Sequence, residues 1–155
     1  YIAYLIVDDI TMREVDSLKI IRIFLTEVAQ EGHVETIDKI TSIDMVDEAN
    51  MVFGGPPGRE GLKAHVKSFR RDIADLKIDI KDIVGNQKKV MAHWSFEGRH
   101  DGPWLGIPAT KKTMSGEVFS FFTFKNGLIS YYRLWLCANF DFPVVFDSSN
   151  PSLHL

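Results

Sequence analysis

Apolar residues recur at three- and four-residue spacing in the first part of the chain. Leu18, Ile21, Leu25 and Val28, interleaved with Arg22, Thr26 and Glu27, predict an amphipathic helix from about Met12 to Gln30, ended by Gly32. Val34, Ile37 and Ile40 repeat the spacing over a shorter second helix, and residues 44–53 read as a first short strand. Gly54-Gly55-Pro56-Pro57-Gly58 interrupts any regular element, because proline removes donors and glycine admits unusual φ. In a third helix Leu62, Val66, Phe69 and Ile73 form the buried stripe, and Lys63, Lys67, Arg70 and Arg71 form a solvated side.

The period then changes from helical to alternating. Leu76-Lys77-Ile78-Asp79-Ile80-Lys81 is a half-buried strand with Leu76, Ile78 and Ile80 inward. After a turn at Gly85-Asn86, a long strand from Lys89 carries Val90, Ala92, Trp94, Phe96, Gly98 and His100 on its more apolar side, and His93, Glu97 and Arg99 on the other. It ends in a charged, glycine-bounded lip, residues 98–102, and an aromatic loop, residues 103–110. Another strand runs from Met114 to Lys125. Asn126-Gly127 marks a two-residue hairpin, and the last strand runs from Leu128 to about Phe140.

These last two strands are apolar on both sides, so both sides require cover: one by a pocket under the helices, the other by a second copy of the chain. Three helices followed by a strand meander predict an α+β fold, a curved antiparallel sheet wrapped around three N-terminal helices, cone-shaped with an internal pocket. The whole chain, residues 1–155, reads as one domain, with residues 141–155 as an irregular C-terminal arm.

Composition narrows the function classes. A net charge of −3, with no basic cluster flanked by stacking aromatics, argues against nucleic-acid binding. The single cysteine, Cys137, lies in an apolar run and reads as a buried, inert thiol. Tyr1 to Val7 is too short for a membrane span and lacks a basic leader, so the expectation is a soluble, cytoplasmic protein. The five histidines show no metal-ligand spacing, and neither a phosphate loop nor a G-x-S-x-G elbow occurs, so no metal or cofactor is expected.

Several segments together resemble the SnoaL-like polyketide cyclase family, within the nuclear-transport-factor-2-like fold superfamily. Gly58-Arg59-Glu60-Gly61-Leu62 is similar to that family's G-x-E-G-L helix start, and Ala74-Asp75-Leu76-Lys77-Ile78 to its P-D-L-x-[VI] lead-in to a strand. Gly98-Arg99-His100-Asp101-Gly102 with Leu105 to Thr110 resembles its G-T-H-x-G…L-G-I-P-P-T lip, and Phe124 to Ile129 its F-x-[DN]-G-[KR]-I hairpin. The matches fall in family order over roughly residues 15–137. The resemblance implies a cofactor-independent protein, homodimeric or of higher order, acting on a small apolar or aromatic molecule. Aldol-type ring closure or isomerisation on a polyketide-like substrate of secondary metabolism is the implied chemistry. A non-catalytic ligand-binding or partner protein, and an epoxide hydrolase or dehydratase, are the alternatives.

Such a closure requires a base for a proton α to a carbonyl and a donor for the resulting oxyanion. The family's acid near the end of the last strand has no counterpart in Tyr131-Tyr132-Arg133-Leu134-Trp135-Leu136-Cys137-Ala138. Glu48 is the replacement the resemblance suggests, because Asp44 to Asn50 is similar to the family's D-x-V-x-H-[ND] strand. His100 matches the lip histidine and is either the donor or a residue that only bonds the loop backbone. Glu117 shares parity with Phe119 and Phe121 and is a further candidate acid, or else pairs with Lys111 or Lys112 on the surface. Trp94, Phe96, Phe119 and Phe121 are expected as pocket walls and Trp104 as a lid. On the last strand Tyr131, Arg133 and Trp135 share one side; they either bind substrate or belong to a dimer surface.

Overall fold

A computed structural model of the protein describes residues 17–52 and 54–140. The expected helix start before residue 17, Phe53 and the arm from Asp141 lie outside the described residues. Helix α1 covers residues 17–30 and widens into a π-helical turn over Phe24–Gln30, where the Glu31 N–H donates to the Thr26 carbonyl at 3.0 Å. A 3₁₀ turn at Val34–Thr36 leads into the single turn α2 (Ile37–Ile40). Strand β1 (Thr41–Asp47), helix α3 (Glu48–Val52) and helix α4 (Gly58–Asp72) follow. The remainder is a meander of β2 (Ile73–Gly85), β3 (Lys89–His100), β4 (Thr113–Lys125) and β5 (Leu128–Phe140).

The five strands form one unclosed sheet in the order β1-β5-β4-β3-β2, antiparallel except where β1 lies parallel to β5. Register shifts in β2 after Ala74 and after Ile80, and between Thr123 and Phe124, mark bulges, the device by which a long sheet bends. Asp75, in the first of these, takes φ 54°. The sheet therefore curls over the helices and leaves a cone, as the α+β pattern predicts. The Asn126-Gly127 hairpin closes with both residues at positive φ, 53° and 77°.

The expected first strand at residues 44–53 is displaced: pairing begins at Thr41 and ends at Asp47, and the rest of that segment turns into α3. β1 gains its place from β5, with Thr41 opposite Ile129 and Asp47 opposite Tyr132. Ladder partners of this kind are separated by some eighty positions, which local propensity does not register.

The register settles which side chains face the cone. Trp94 lies opposite Val118 and Phe96 opposite Gly116; Phe122 lies opposite Tyr132 and Ser120 opposite Leu134. Residues directly opposite share a face, so the inner face carries Val118, Ser120, Phe122, Tyr132, Leu134 and Leu136. Glu117, Phe119, Phe121, Tyr131, Arg133 and Trp135 fall on the outer, convex face. This corrects the expectation that Glu117, Phe119 and Phe121 point inward: apolarity on both sides of β4 hides its parity. Cys137 is likewise exposed on the convex side.

At the narrow part of the core, Phe24 meets Phe122 and Tyr132 edge-on at 5.5 and 5.6 Å, and Phe122 stacks on Tyr132 at 4.8 Å. At the first turn of α4, a Cβ on Gly61 would collide with the Pro56 carbonyl and approach Asn50 Nδ2 to 2.5 Å. The glycine is therefore what lets α4 sit against the Pro56 turn. Replacing Gly61 with Ala is expected to cost about 1–3 kcal/mol of stability through overpacking, read as a fall in the midpoint of urea unfolding.

Candidate active site

Beneath the lip the cone contains a cavity of about 300 Å³, at the small end of the range for ligand pockets. Its wall from α4 carries Leu62, Val66 and Phe69, successive positions of one apolar stripe, and α1 adds Phe24 and Ala29. The sheet adds Trp94, Phe96 and Val118, with Leu134 and Leu136 from β5. Pro103, Trp104 and Leu105 cover the mouth. The Trp104 ring meets Phe96 edge-on at 5.8 Å and lies 6.1 Å from Phe69. Trp94, Phe96 and Trp104 all line the cavity.

Asn50, His65, Ser68, Arg71 and Asp72 interrupt this apolar lining, and a buried acid, Asp47, lies behind His65. Asp47, the last residue of β1, points inward, and its side chain is only 1% exposed. Its Oδ2 lies 2.6 Å from Nδ1 of His65, and its Oδ1 accepts the Asn50 N–H at 3.4 Å. His65 lies on α4 one turn from Leu62 and beside Val66, so the stripe that packs α4 also carries its imidazole to the cavity wall. With Nδ1–H donated to the carboxylate, Nε2 holds the lone pair, which is the tautomer of a proton acceptor. The imidazole stacks on the Tyr132 ring at 6.3 Å and 26°.

The other polar elements are a buried chain and a rim pair. The indole Nε1–H of Trp94 donates to Ser120 Oγ at 2.9 Å, and the Tyr132 phenol lies close to that hydroxyl. Burial, reinforced by the nearby Asp47 charge, pushes the Tyr132 phenol well above its ordinary value. At the rim Arg71 forks onto the buried Asp72 carboxylate at 2.7 and 2.9 Å.

The candidates suggested by the resemblance lie elsewhere. Glu48 follows Asp47 by one residue and turns to the other side of the sheet. There it accepts the Tyr131 hydroxyl and pairs with Arg133 Nε at 3.3 Å, with 40% of its side chain exposed. That hydrogen bond, ahead of burial, raises the Tyr131 phenol. Arg133 in turn covers the Trp135 ring at 4.8 Å. The group Tyr131, Arg133 and Trp135 is therefore part of the convex surface and not of the cavity.

Glu117 meets His93 Nε2 at 2.9 Å on the same convex side, not Lys111 or Lys112, and the His93 ring stacks on Phe119 at 4.4 Å. Phe121 contacts Tyr131 there at 6.5 Å. His100 points inward by parity and is fully buried, but its Nδ1 engages Thr110 Oγ1 at 3.1 Å and it does not line the cavity. It fastens the lip to its own strand. No three His, Cys, Asp or Glu side chains among the described residues form a metal-binding cluster. No helix among them is long and apolar enough to cross a membrane.

Sequence reasoning missed His65 and Asp47. The available signal was a histidine three residues after Leu62 and one before Val66, inside the apolar stripe of α4. Asp47 carried no such signal, because an acid beside Glu48 in a polar segment resembles a solvated turn.

Comparison with known proteins adds a family. The family model of the SnoaL-like polyketide cyclases matches residues 19–136. No curated protein matches the chain. Among solved structures it is similar to TsrD from Streptomyces laurentii, with TM-score 0.69, 24% identity, and coverage of 79% of this chain and 88% of that one. A SnoaL-like polyketide cyclase from Agrobacterium tumefaciens gives 0.62 and 15%, covering 77% and 91%. An LEH-like epoxide hydrolase from M. tuberculosis gives 0.58 and 15%, covering 80% and 84%. At these identities the likeness to solved structures is one of fold.

The lip over the cavity is held by backbone and charge. The Asp101 and Gly102 N–H groups donate to the Asp72 carbonyl at 2.8 and 3.0 Å, and Arg99 forks onto the Asp101 carboxylate at 2.8 and 2.9 Å. The Arg99 hydrogen bonds hold the Asp101 carboxyl below its ordinary 3.8. Its stabilisation is therefore complete above 3.8 and is lost as the pH falls through the lower folded value. The gap in melting temperature between the native protein and Asp101→Asn is expected at pH about 6 and to shrink as the pH falls below 3.8.

Proposed function

The chain belongs to the SnoaL-like polyketide cyclase family, and on that premise we propose that it is a cofactor-independent cyclase or isomerase whose general base is His65, oriented by Asp47. The observation that carries the reading is the 2.6 Å contact between a buried carboxylate and an imidazole on the wall of a mostly apolar cavity. The substrate is a small, mostly apolar ketone of the polyketide kind, enclosed by the aromatic walls. His65 Nε2 removes a proton α to the carbonyl. Asp47 holds the Nδ1–H tautomer and stabilises the imidazolium that forms. The enolate then attacks a second carbonyl in ring closure, or is reprotonated at another carbon in isomerisation, with the proton returned from His65.

The test uses β-tetralone, a bicyclic ketone with exchangeable α-protons, in deuterated buffer, with deuterium uptake followed by NMR. The native protein is expected to accelerate uptake. His65→Gln should lose about 10²–10⁴-fold of that acceleration, Asp47→Asn a comparable part, and Glu48→Gln none. Equal rates for the native protein and His65→Gln would overturn the assignment of the base. A protein that binds the ketone without exchange would be a ligand-binding member of the family.

The convex face supports pairing with a second copy of the chain. Met91, Phe119 and Trp135 are 41%, 40% and 45% exposed there, beside the Arg133 guanidinium. Aromatic residues, Met and Arg are the types enriched where proteins associate. Trp135→Glu is expected to halve the mass seen by sedimentation while leaving α-proton exchange in place.

A further inference from the structure

The inner face of β4 is apolar from Met114 to Phe124 except at Ser120, which is fully buried. A buried hydroxyl persists only where it is hydrogen-bonded, and its partners fix the direction of each proton. An indole N–H can only donate, so Ser120 Oγ accepts from Trp94 at 2.9 Å. The serine proton is then available to the neighbouring Tyr132 oxygen. A phenol that accepts from Ser120 holds its own proton for a different acceptor.

The Tyr132 ring cannot swing away. Phe122 stacks on it at 4.8 Å and 10°, Phe24 abuts it at 5.6 Å and 67°, and the His65 imidazole stacks on it at 6.3 Å. Tyr132 and His65 both line the cavity. We infer that the Tyr132 hydroxyl is the hydrogen-bond donor to the substrate oxyanion, aimed by the Trp94–Ser120 chain and set beside the base that generates that charge. Trp94 and Ser120 are positioning residues for it. The inference rests on the reading of His65 as base.

The chemistry suits a buried phenol. Negative charge develops on the carbonyl oxygen as the α-proton leaves, and a donor already fixed in an apolar, water-poor wall stabilises it without reorganising. Burial and the Asp47 charge keep the phenol protonated, so its proton stays available to donate. The resulting division is one base and one donor on adjacent elements, α4 and β5.

β-Naphthol, a two-ring mimic of an enol, and naphthalene, which lacks the hydroxyl, separate the donor from the apolar walls. The native protein should bind β-naphthol about tenfold or more tightly than naphthalene in fluorescence titrations. In Tyr132→Phe the preference should fall to near unity with naphthalene affinity unchanged, and Ser120→Ala should lower it in part. Should Tyr132→Phe fail to fold, Trp94→Phe breaks the same chain from its far end and is expected to lower the preference as well.

No preference in the native protein, or a preference unchanged in the folded variants, would overturn the donor. His65→Gln keeps the donor, so it should lose α-proton exchange on β-tetralone and retain the preference for β-naphthol. Exchange lost in His65→Gln with the naphthol preference intact in Tyr132→Phe leaves the base and removes the donor. The reverse pattern removes the base and keeps the phenol as a ligand-binding donor.

Discussion

A carboxylate enclosed by apolar groups must be paired and hydrogen-bonded or it unfolds its surroundings, and Asp47 is that carboxylate. Its side chain is 1% exposed, and its two oxygens are met by His65 Nδ1 and the Asn50 amide. Both partners come from the helices that follow β1. Asn50 in turn donates from its side chain to the Pro56 carbonyl at 3.1 Å, and Gly61 leaves room for both. The end of β1, α3, the Gly-Pro turn and the first turns of α4 are therefore fitted to one buried charge. The same fit delivers an imidazole of defined tautomer to the cavity.

The sheet divides its side chains into two chemically distinct faces. Inward residues form an apolar cavity with a narrow polar line running from Asp47 and His65 past Tyr132 to Ser120 and Trp94. Outward residues form a surface of rings and ion pairs, among them Glu48 with Arg133 and Glu117 with His93. Asp47 ends β1, and Glu48 begins α3, where the chain turns. The step from Asp47 to Glu48 therefore separates a buried acid from an acid on the surface.

The lip follows from the same economy of partners. The last carbonyl of α4, that of Asp72, receives the Asp101 and Gly102 amides, so the helix end and the lip share hydrogen bonds. His100, buried beneath, holds Thr110 across the loop. These bonds leave Trp104 as the ring that closes over Phe69 and Phe96. A histidine at the mouth thus has a structural task, and the chemical one falls to a histidine on a helix.

What the sequence by itself determined is local and periodic. The stripe Leu62, Val66 and Phe69 marked α4, although Ile73, expected to continue it, opens β2; the alternation from Val90 to His100 marked the inner face of β3, and Asn126-Gly127 marked the hairpin. The motifs marked the family, because each reflects contacts within a few residues. Tertiary structure alone decided the rest. β4 and β5 are apolar on both sides, so only the ladder with β3 orients them. Asp47 and Glu48 look alike until pairing with β5 sets which is buried. His65 meets Asp47 across 18 positions, through the packing of a helix on a strand, and no local preference encodes a contact of that range.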